Sequence, residues 1–221
     1  MLIGRDSYAE VMRILPLIAL PAVTLLALSG CAFAPRGPVV SESRDLDAAT
    51  SVVLETSGDL TIREGEPSLV IHAPAEVLAR LTSAVVDGEL VLGTTPGTPG
   101  FLLSRISYEL TLPGLDGIRI NGAGDVDSDV PADGTLRLEI NGAGDLEVAG
   151  IDTTEVALAI HGSGDVELHG VTDSLAITLD GTGDVAADDL DSADVTVEVN
   201  GVGDITVAAS ATLDVSISGA G

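Results

Sequence analysis

A carboxylate that recurs at a fixed interval is the side chain of this sequence with the clearest capacity for chemistry. It closes a Gly-x-Gly-Asp motif, and successive copies are 20, 20, 19 and 20 residues apart. A fainter copy ends at Asp59. If strands stack the copies at about 4.8 Å, adjacent carboxylates repel by about 1 kcal/mol in water. The five strong copies are Asp125, Asp145, Asp165, Asp184 and Asp204.

Two kinds of partner could offset the repulsion within this row. Each carboxylate can accept hydrogen bonds from the backbone amides of its own glycine turn, and the sequence favours this interpretation. The alternative is a row of hard-cation sites that bind calcium. Known calcium-binding glycine-aspartate repeats have a nine-residue period and a different aspartate position, so calcium at these five aspartates stays a hypothesis. No other cofactor is expected.

A second polar position precedes each glycine turn. A column of asparagines favours a ladder of side-chain amides. His161 and His169 occupy different places in the repeat, and His72 lies in another region, so no transition-metal site is predicted. The occupants of the second position are Asn121, Asn141, His161, Asp180, Asn200 and Ser218.

No arrangement of residues predicts an enzyme. The repeats contain two basic residues, Arg119 and Arg137, whereas polysaccharide lyases on parallel β-helices need a strong base beside an acidic calcium cluster. Aromatic residues that could stack on sugars are scarce after residue 31, where they are Phe33, Phe101 and Tyr108. The Gly-x-Gly segment also lacks the third glycine and the following helix of a dinucleotide-binding loop. We therefore predict no catalytic residues.

The charge balance excludes two classes of partner. Nine arginines and no lysine face 35 acidic residues, giving a net charge of −26. A chain without a basic face cannot neutralise phosphates, which argues against nucleic acid and against docking on anionic lipid head groups.

Apolar and polar residues alternate between the glycine turns. Leu136, Leu138 and Ile140 precede one turn, and Leu146 and Val148 follow it. A period of two predicts strands with one inward face, and its recurrence predicts two strands and two turns per coil, with the coils stacked. We read the glycines as supplying positive φ at sharp corners. A meander of antiparallel hairpins is the alternative, but the strict recurrence favours an all-β parallel solenoid with about 20 residues per coil.

The segment before the repeats does not follow their pattern. Residues 75–84 are compatible with one short helix that turns Leu78 and Leu81 inward. Residues 93–100 form a glycine- and proline-rich loop, where a partner contact is plausible, and Phe101 and Leu102 beside it are interpreted as core.

The N-terminal residues predict an export signal. The apolar run from Ile14 to Leu28 is too short to span a bilayer and fits the core of a signal peptide. The following Leu28-Ser29-Gly30-Cys31 resembles the lipobox of bacterial lipoproteins, in which signal peptidase cuts before the cysteine and the thiol carries a diacylglycerol. Cys31 is the one cysteine, so it forms no disulfide within the chain and is the predicted lipidation site.

These signals divide the chain into a signal peptide over residues 1–30, a lipidated tether over 31–47 and a β-solenoid over 48–221, with the Gly-x-Gly-Asp repeats over 116–221. We expect an exported protein that is lipid-anchored to the cell envelope, at the outer membrane if the host has two membranes. The lipid on Cys31 then makes the membrane its first partner.

Three features of residues 46–221 resemble the head GIN domain family, also described as putative auto-transporter adhesin. They are the strand pair of residues 51–54 and 58–62, the segment from Pro67 through Leu78 to Leu92, and the run from Tyr108 to Leu115 that enters the repeats. The resemblance implies a right-handed parallel β-helix in a bacterial envelope protein. It implies no catalytic residues.

The last repeat stops at Gly221, one residue short of the aspartate that the register requires. Either a closing segment lies outside this sequence, or the last coil keeps an open strand edge. An open edge predicts self-association or docking of a partner there.

Two functions remain open. The first is a non-catalytic solenoid used for binding, adhesion or scaffolding toward an envelope protein or surface ligand. The second is a calcium-binding or envelope-sensing lipoprotein that acts with a membrane partner.

Overall fold

The computed structural model describes residues 37–100, 103–132 and 134–221. All of the described residues fall within one compact unit. The predicted signal peptide, Cys31 and the proposed core residues Phe101 and Leu102 lie outside the described residues.

The described residues form fourteen strands and one helix of a single turn, α1 (Ala75–Leu78). The strands are β1 (Val39–Arg44), β2 (Ser51–Leu54), β3 (Asp59–Glu64), β4 (Ser68–Pro74), β5 (Leu81–Val86), β6 (Glu89–Thr94), β7 (Ser107–Leu112), β8 (Gly117–Ile120), β9 (Val126–Ser128), β10 (Thr135–Ile140), β11 (Leu146–Ile160), β12 (Val166–Leu179), β13 (Val185–Val199) and β14 (Ile205–Ile217).

Neighbouring repeats pair as parallel strands in register. Ladder A is the series β6, β2, β8, β10 and then the second halves of β11 to β14. Ladder B is the series β7, β3, β9 and then the first halves of β11 to β14. The chain therefore forms a parallel β-solenoid of about five turns with roughly 20 residues per coil, as predicted, and the hairpin meander is wrong for the repeats.

The N-terminal end of the solenoid is antiparallel. Ladder B is extended by β4 and β1, and ladder A is extended by β5. Asp87 and Gly88 join β5 to β6 with φ of 52° and 85°, the positive pair that a two-residue hairpin requires. Residues 39–44, which we assigned to the tether, form β1, so the folded part begins before residue 48.

The predicted helix over residues 75–84 is mostly wrong. Only Ala75–Leu78 is helical, and Leu81 begins β5. Thr82, Val85 and Val86 are β-branched and pair with β6, which favours a strand over a longer helix. Leu78 and Leu81 are both buried, as expected.

The second turn of each coil is also different from the prediction. In β11, β12 and β13 the backbone bends without leaving the sheet, so one strand of 14 or 15 residues runs through two sides of the coil. The bend coincides with a register shift between Val148 and Ile151 and with positive φ at Gly150 and Gly170. A bulge turns this corner because it keeps most backbone groups paired with the next coil.

Inward aliphatic side chains pile up in columns along the solenoid. Leu138, Leu158, Ile177 and Val197 occupy one such column and are 1–4% exposed. Each contributes about 1.5–3 kcal/mol through burial. The columns form one continuous hydrophobic core.

The glycines of the repeat allow close contact between turns. A Cβ on Gly142 would lie 1.8 Å from the carbonyl oxygen of Gly122, and one on Gly162 would lie 2.0 Å from that of Gly142. None of these three glycines has a positive φ, so our expectation of positive φ at this corner is wrong for them. Glycine is needed because the backbone of the previous coil fills the space of a side chain.

We predict that Gly162→Ala destabilises the protein by about 3 kcal/mol, because backbone atoms cannot move aside for the methyl group. Gly100→Ala is the control, since nothing lies within 4 Å of its Cβ position, and it should change stability by less than about 0.5 kcal/mol. Urea unfolding curves measure both. Equal midpoints for the two variants would contradict the stacking of these turns.

Candidate functional site

Four of the five aspartates of the row, all except Asp204, border a groove on the outer face of ladder B. The groove has a volume of about 410 Å³. A second acidic column, two residues after the first, borders the same groove. We call it the acidic groove, and its carboxylates belong to Asp59, Asp125, Asp145, Asp165, Asp184, Asp127, Glu147 and Glu167.

Four of the five aspartates of the row accept a hydrogen bond from the next coil. The Oδ1 atom of Asp125 accepts a hydrogen bond of 3.0 Å from the backbone N–H of Asp145. The same contact, at 2.8 Å, joins Asp145 to Asp165, Asp165 to Asp184, and Asp184 to Asp204. The row therefore supplies one acceptor per coil to the backbone.

Our expectation that each aspartate bonds the amides of its own turn is wrong. Those amides already have partners on neighbouring coils: Ser163 N–H donates to Gly142 O at 2.9 Å, and Gly164 N–H donates to Thr182 O at 3.2 Å. The amide of the next aspartate is the one that faces the carboxylate when the turns stack.

The second acidic column was missed by sequence reasoning. Asp127, Glu147 and Glu167 are in register on β9, β11 and β12. They point outward because they lie two residues after each aspartate of the row, and this spacing was visible in the sequence. At the N-terminal end of the groove, Arg63 pairs with Asp127 and lies 3.5 Å from Asp129.

The acidic groove lacks the ligand density of a known calcium site. Calcium takes six to eight oxygen ligands, whereas one oxygen of each stacked aspartate already accepts a backbone amide. In the part of the chain that the structure describes, no three His, Cys, Asp or Glu side chains are grouped to hold a metal ion. Calcium at Asp125, Asp145, Asp165, Asp184 and Asp204 stays a prediction.

The second polar column forms an amide ladder that a histidine interrupts. Asn141 Nδ2 donates to Asn121 Oδ1 at 3.0 Å, and Asn200 Nδ2 donates to Asp180 Oδ1 at 3.0 Å. Between them, His161 Nδ1 lies 3.1 Å from Asp180 Oδ2. The column therefore joins coils through side-chain contacts.

The other two histidines also contact carboxylates. His169 Nε2 lies 3.1 Å from Glu167, and His72 Nε2 lies 3.2 Å from Glu109. The three histidines thus have three separate sets of partners.

A charged network on ladder A joins three coils. Arg119 Nε donates to Glu139 at 2.9 Å, and its Nη2 lies 3.4 Å from Glu89. The hydrogen bond from Asn141 and then that from Arg119 hold the pKa of Glu139 below its ordinary value, and the bond to Glu139 raises the pKa of Arg119. The network fastens β6, β8 and β10 across the outer face.

Fold and surface together define a class of protein. Columns of outward polar side chains on a parallel solenoid present a repetitive surface, which is typical of binding and scaffold proteins. Among the described residues, no helix has both the length and the apolar character that a bilayer crossing needs.

The chain belongs to the head GIN domain family, described as putative auto-transporter adhesin, which matches residues 49–221. This confirms the resemblance seen in the sequence. A search of curated proteins finds no match.

Solved structures share the fold. A putative adhesin from Bacteroides fragilis is 23% identical with a TM-score of 0.75, covering 85% of this chain and 93% of that one. A putative adhesin from Parabacteroides distasonis is 12% identical with a TM-score of 0.61, covering 83% and 99%. A putative lipid binding protein from the same organism is 13% identical with a TM-score of 0.57, covering 85% and 98%. At these identities the likeness concerns the fold.

We predict that Asp165→Ala lowers the free energy of unfolding by about 1 kcal/mol, because the amide of Asp184 loses its acceptor. Asp165→Asn should be at least as stable as the native protein at low salt, since its carbonyl oxygen can still accept and one repelling charge is gone. Thermal and urea unfolding measure both. An equal loss in the two variants would show that the charge, not the acceptor, matters.

Proposed function

We propose that this protein is a lipid-anchored component of the bacterial cell envelope that binds its partner with the outer surface of the solenoid and performs no catalysis. The observation that carries the proposal is the acidic groove, in which stacked coils align two columns of carboxylates along one outer face. The adhesin description of the family supports a binding role.

The partner of this groove is a cationic surface or peptide segment. Eight carboxylates border the groove, and among the described residues two basic side chains contact them: Arg63 pairs with Asp127, and His169 lies 3.1 Å from Glu167. Successive carboxylates within a column are about 4.8 Å apart, so an extended chain with regularly spaced positive charges meets a carboxylate at every coil. Hydrogen bonds from the next coil hold four of these carboxylates in place, which lowers the entropic cost of binding.

The anchor is supported by the leader sequence and by Cys31. A single acyl chain gives only marginal membrane binding, whereas the diacylglycerol and amide-linked chains of a lipoprotein give stable anchoring. An adhesin-like protein needs such an attachment to transmit force between its partner and the cell.

We predict that the full-length protein, expressed in a bacterial host, incorporates a palmitate analogue and sediments with membranes. Cys31→Ser should lose the label and leave the membrane fraction, because its hydroxyl is not a substrate for diacylglyceryl transfer. In-gel detection of the analogue and fractionation measure both effects. A Cys31→Ser protein that stays labelled would disprove lipidation at this residue.

A charge-matched pair of variants tests the groove. The first combines Asp145→Asn, Glu147→Gln and Asp165→Asn within the groove. The second, Asp152→Asn, Asp173→Asn and Asp191→Asn, removes three exposed carboxylates that do not border it. We expect the first triple variant to bind hexalysine at physiological salt at least tenfold more weakly than the native protein, and the second to stay within about twofold.

Equal losses in the two triple variants would mean that net charge, not the groove, attracts the peptide. The same proteins test the second candidate function. Among the described residues the backbone hydrogen bonds go to Oδ1 of each stacked aspartate and none goes to Oδ2, so the Oδ2 atoms of neighbouring carboxylates could share a cation. A saturable calcium heat by titration calorimetry that disappears only in the groove variant would favour calcium binding over the cationic partner.

A further inference from the structure

We infer that a second groove, on the outer face of ladder A, binds a small zwitterion such as an amino acid or a dipeptide with free termini. This groove has a volume of about 380 Å³. Its charged lining residues are Asp87, Glu89, Asp116, Arg119, Arg137 and Glu139, and we call it the mixed-charge groove. The inference does not depend on the acidic groove, which lies on ladder B.

The register of ladder A creates the hollow. One outward column runs from Glu89 through Ser51 and Gly117 to Arg137. Serine and glycine are both small, so they leave open space between the longer side chains of Glu89 and Arg137. Three strand spacings separate these two residues, a backbone distance of about 14 Å.

Among the described residues, Arg137 is the cation of this groove that has no side-chain partner. Arg119 is committed to Glu139 and Glu89, as described above. The guanidinium of Arg137 has no hydrogen bond or ion pair with any described residue, although four carboxylates border the same groove. On its other side its register partner is Ala157, which offers no polar atom. The side chain begins beside the hollow, since its Cβ lies 3.8 Å from the Cβ position of Gly117.

The opposite charge is also available. Asp87 lies in the hairpin turn that follows β5. Asp116 lies directly before β8, and its backbone N–H donates a hydrogen bond of 2.6 Å to Thr50 O. The carboxylates of Asp87 and Asp116 make no hydrogen bond or ion pair within the described part of the chain. The groove therefore combines one guanidinium and two carboxylates that have no partner among residues 37–100, 103–132 and 134–221.

This combination selects a zwitterion over a simple ion. A planar guanidinium binds a carboxylate through two parallel hydrogen bonds, which an ammonium group cannot replace. A simple anion meets Arg137 but is repelled by Asp87 and Asp116. A simple cation meets one of these aspartates but is repelled by Arg137. A ligand with both groups places its carboxylate at Arg137 and its ammonium at one of the two aspartates, so each charge of the ligand is matched.

Three probes separate these cases in the native protein. Alanyl-alanine carries both charges, N-acetyl-alanyl-alanine carries the carboxylate alone, and alanyl-alanine amide carries the ammonium alone. In ¹H–¹⁵N spectra we expect alanyl-alanine to shift the amides of Ser51, Gly117 and Arg137 saturably. Each blocked probe should bind at least tenfold more weakly.

Arg137→Gln and Arg80→Gln form the matched pair of variants. Arg80 is likewise exposed and makes no side-chain hydrogen bond or ion pair with the described residues, but it does not border the groove. Arg137→Gln should weaken alanyl-alanine binding at least tenfold, and Arg80→Gln should leave it unchanged. Urea midpoints of both variants report whether the fold is intact.

Equal affinities for the three probes, no saturable shift at any of them, or an unchanged affinity in Arg137→Gln would each overturn the inference. Because the probes and the variants do not involve the acidic groove or Cys31, either result leaves the proposed function to its own tests.

Discussion

The close approach of successive glycine turns is the contact on which the rest of this structure depends. The carbonyl oxygen of one turn occupies the space of a side chain on the next, at 2.0 Å from the Cβ position of Gly181 and Gly201 as well as Gly162. Only glycine fits there, and the contact sets the axial distance between coils at that corner. Since the turns are held in register, every other position of the repeat is held in register too.

Because the coils are in register, equivalent side chains form columns along the solenoid. These columns stabilise the inner face of each strand and bring like charges together on its outer face. Inside, aliphatic side chains of the same type bury one another. Outside, like charges are brought close together, which costs about 1 kcal/mol per adjacent pair in water. A hydrogen bond to a charged group contributes about 1.5–3 kcal/mol, so the amide that each aspartate receives from the next coil offsets the repulsion. The same stacking that creates the acidic row thus stabilises it.

Much of this architecture could be predicted from the sequence because the same pattern of residues recurs in every coil. Alternation identified the inward residues, and the 20-residue period identified the stacked coils. The partner of each aspartate could not be predicted, since it belongs to a neighbouring coil and depends on which amides the backbone has already used. The antiparallel β1 and β5 also escaped prediction, and the helix predicted over residues 75–84 was too long, because these elements lie where the sequence does not repeat.

The two grooves differ in how much of each could be predicted from the sequence. The acidic row was evident because the same residue type recurs, whereas the second acidic column was missed although its spacing was visible in the sequence. The mixed-charge groove joins Asp87, Gly117 and Arg137, which share no motif and meet only because ladder A brings β6, β2, β8 and β10 side by side. Sites of this kind become visible only once the order of strands is known.

Nuclear Overhauser contacts between methyl groups on the outer face of ladder A test the in-register parallel stacking most directly. With alanine and threonine methyl groups labelled, the structure predicts contacts between Ala157 and Ala176 and between Ala176 and Thr196, which are register partners at about 4.8 Å. Ala157 and Thr196, two coils apart at about 9.6 Å, should show none. If the Ala157–Ala176 contact is absent, or if Ala157 instead contacts residues that only an antiparallel neighbour would bring near it, the coils are not stacked as described.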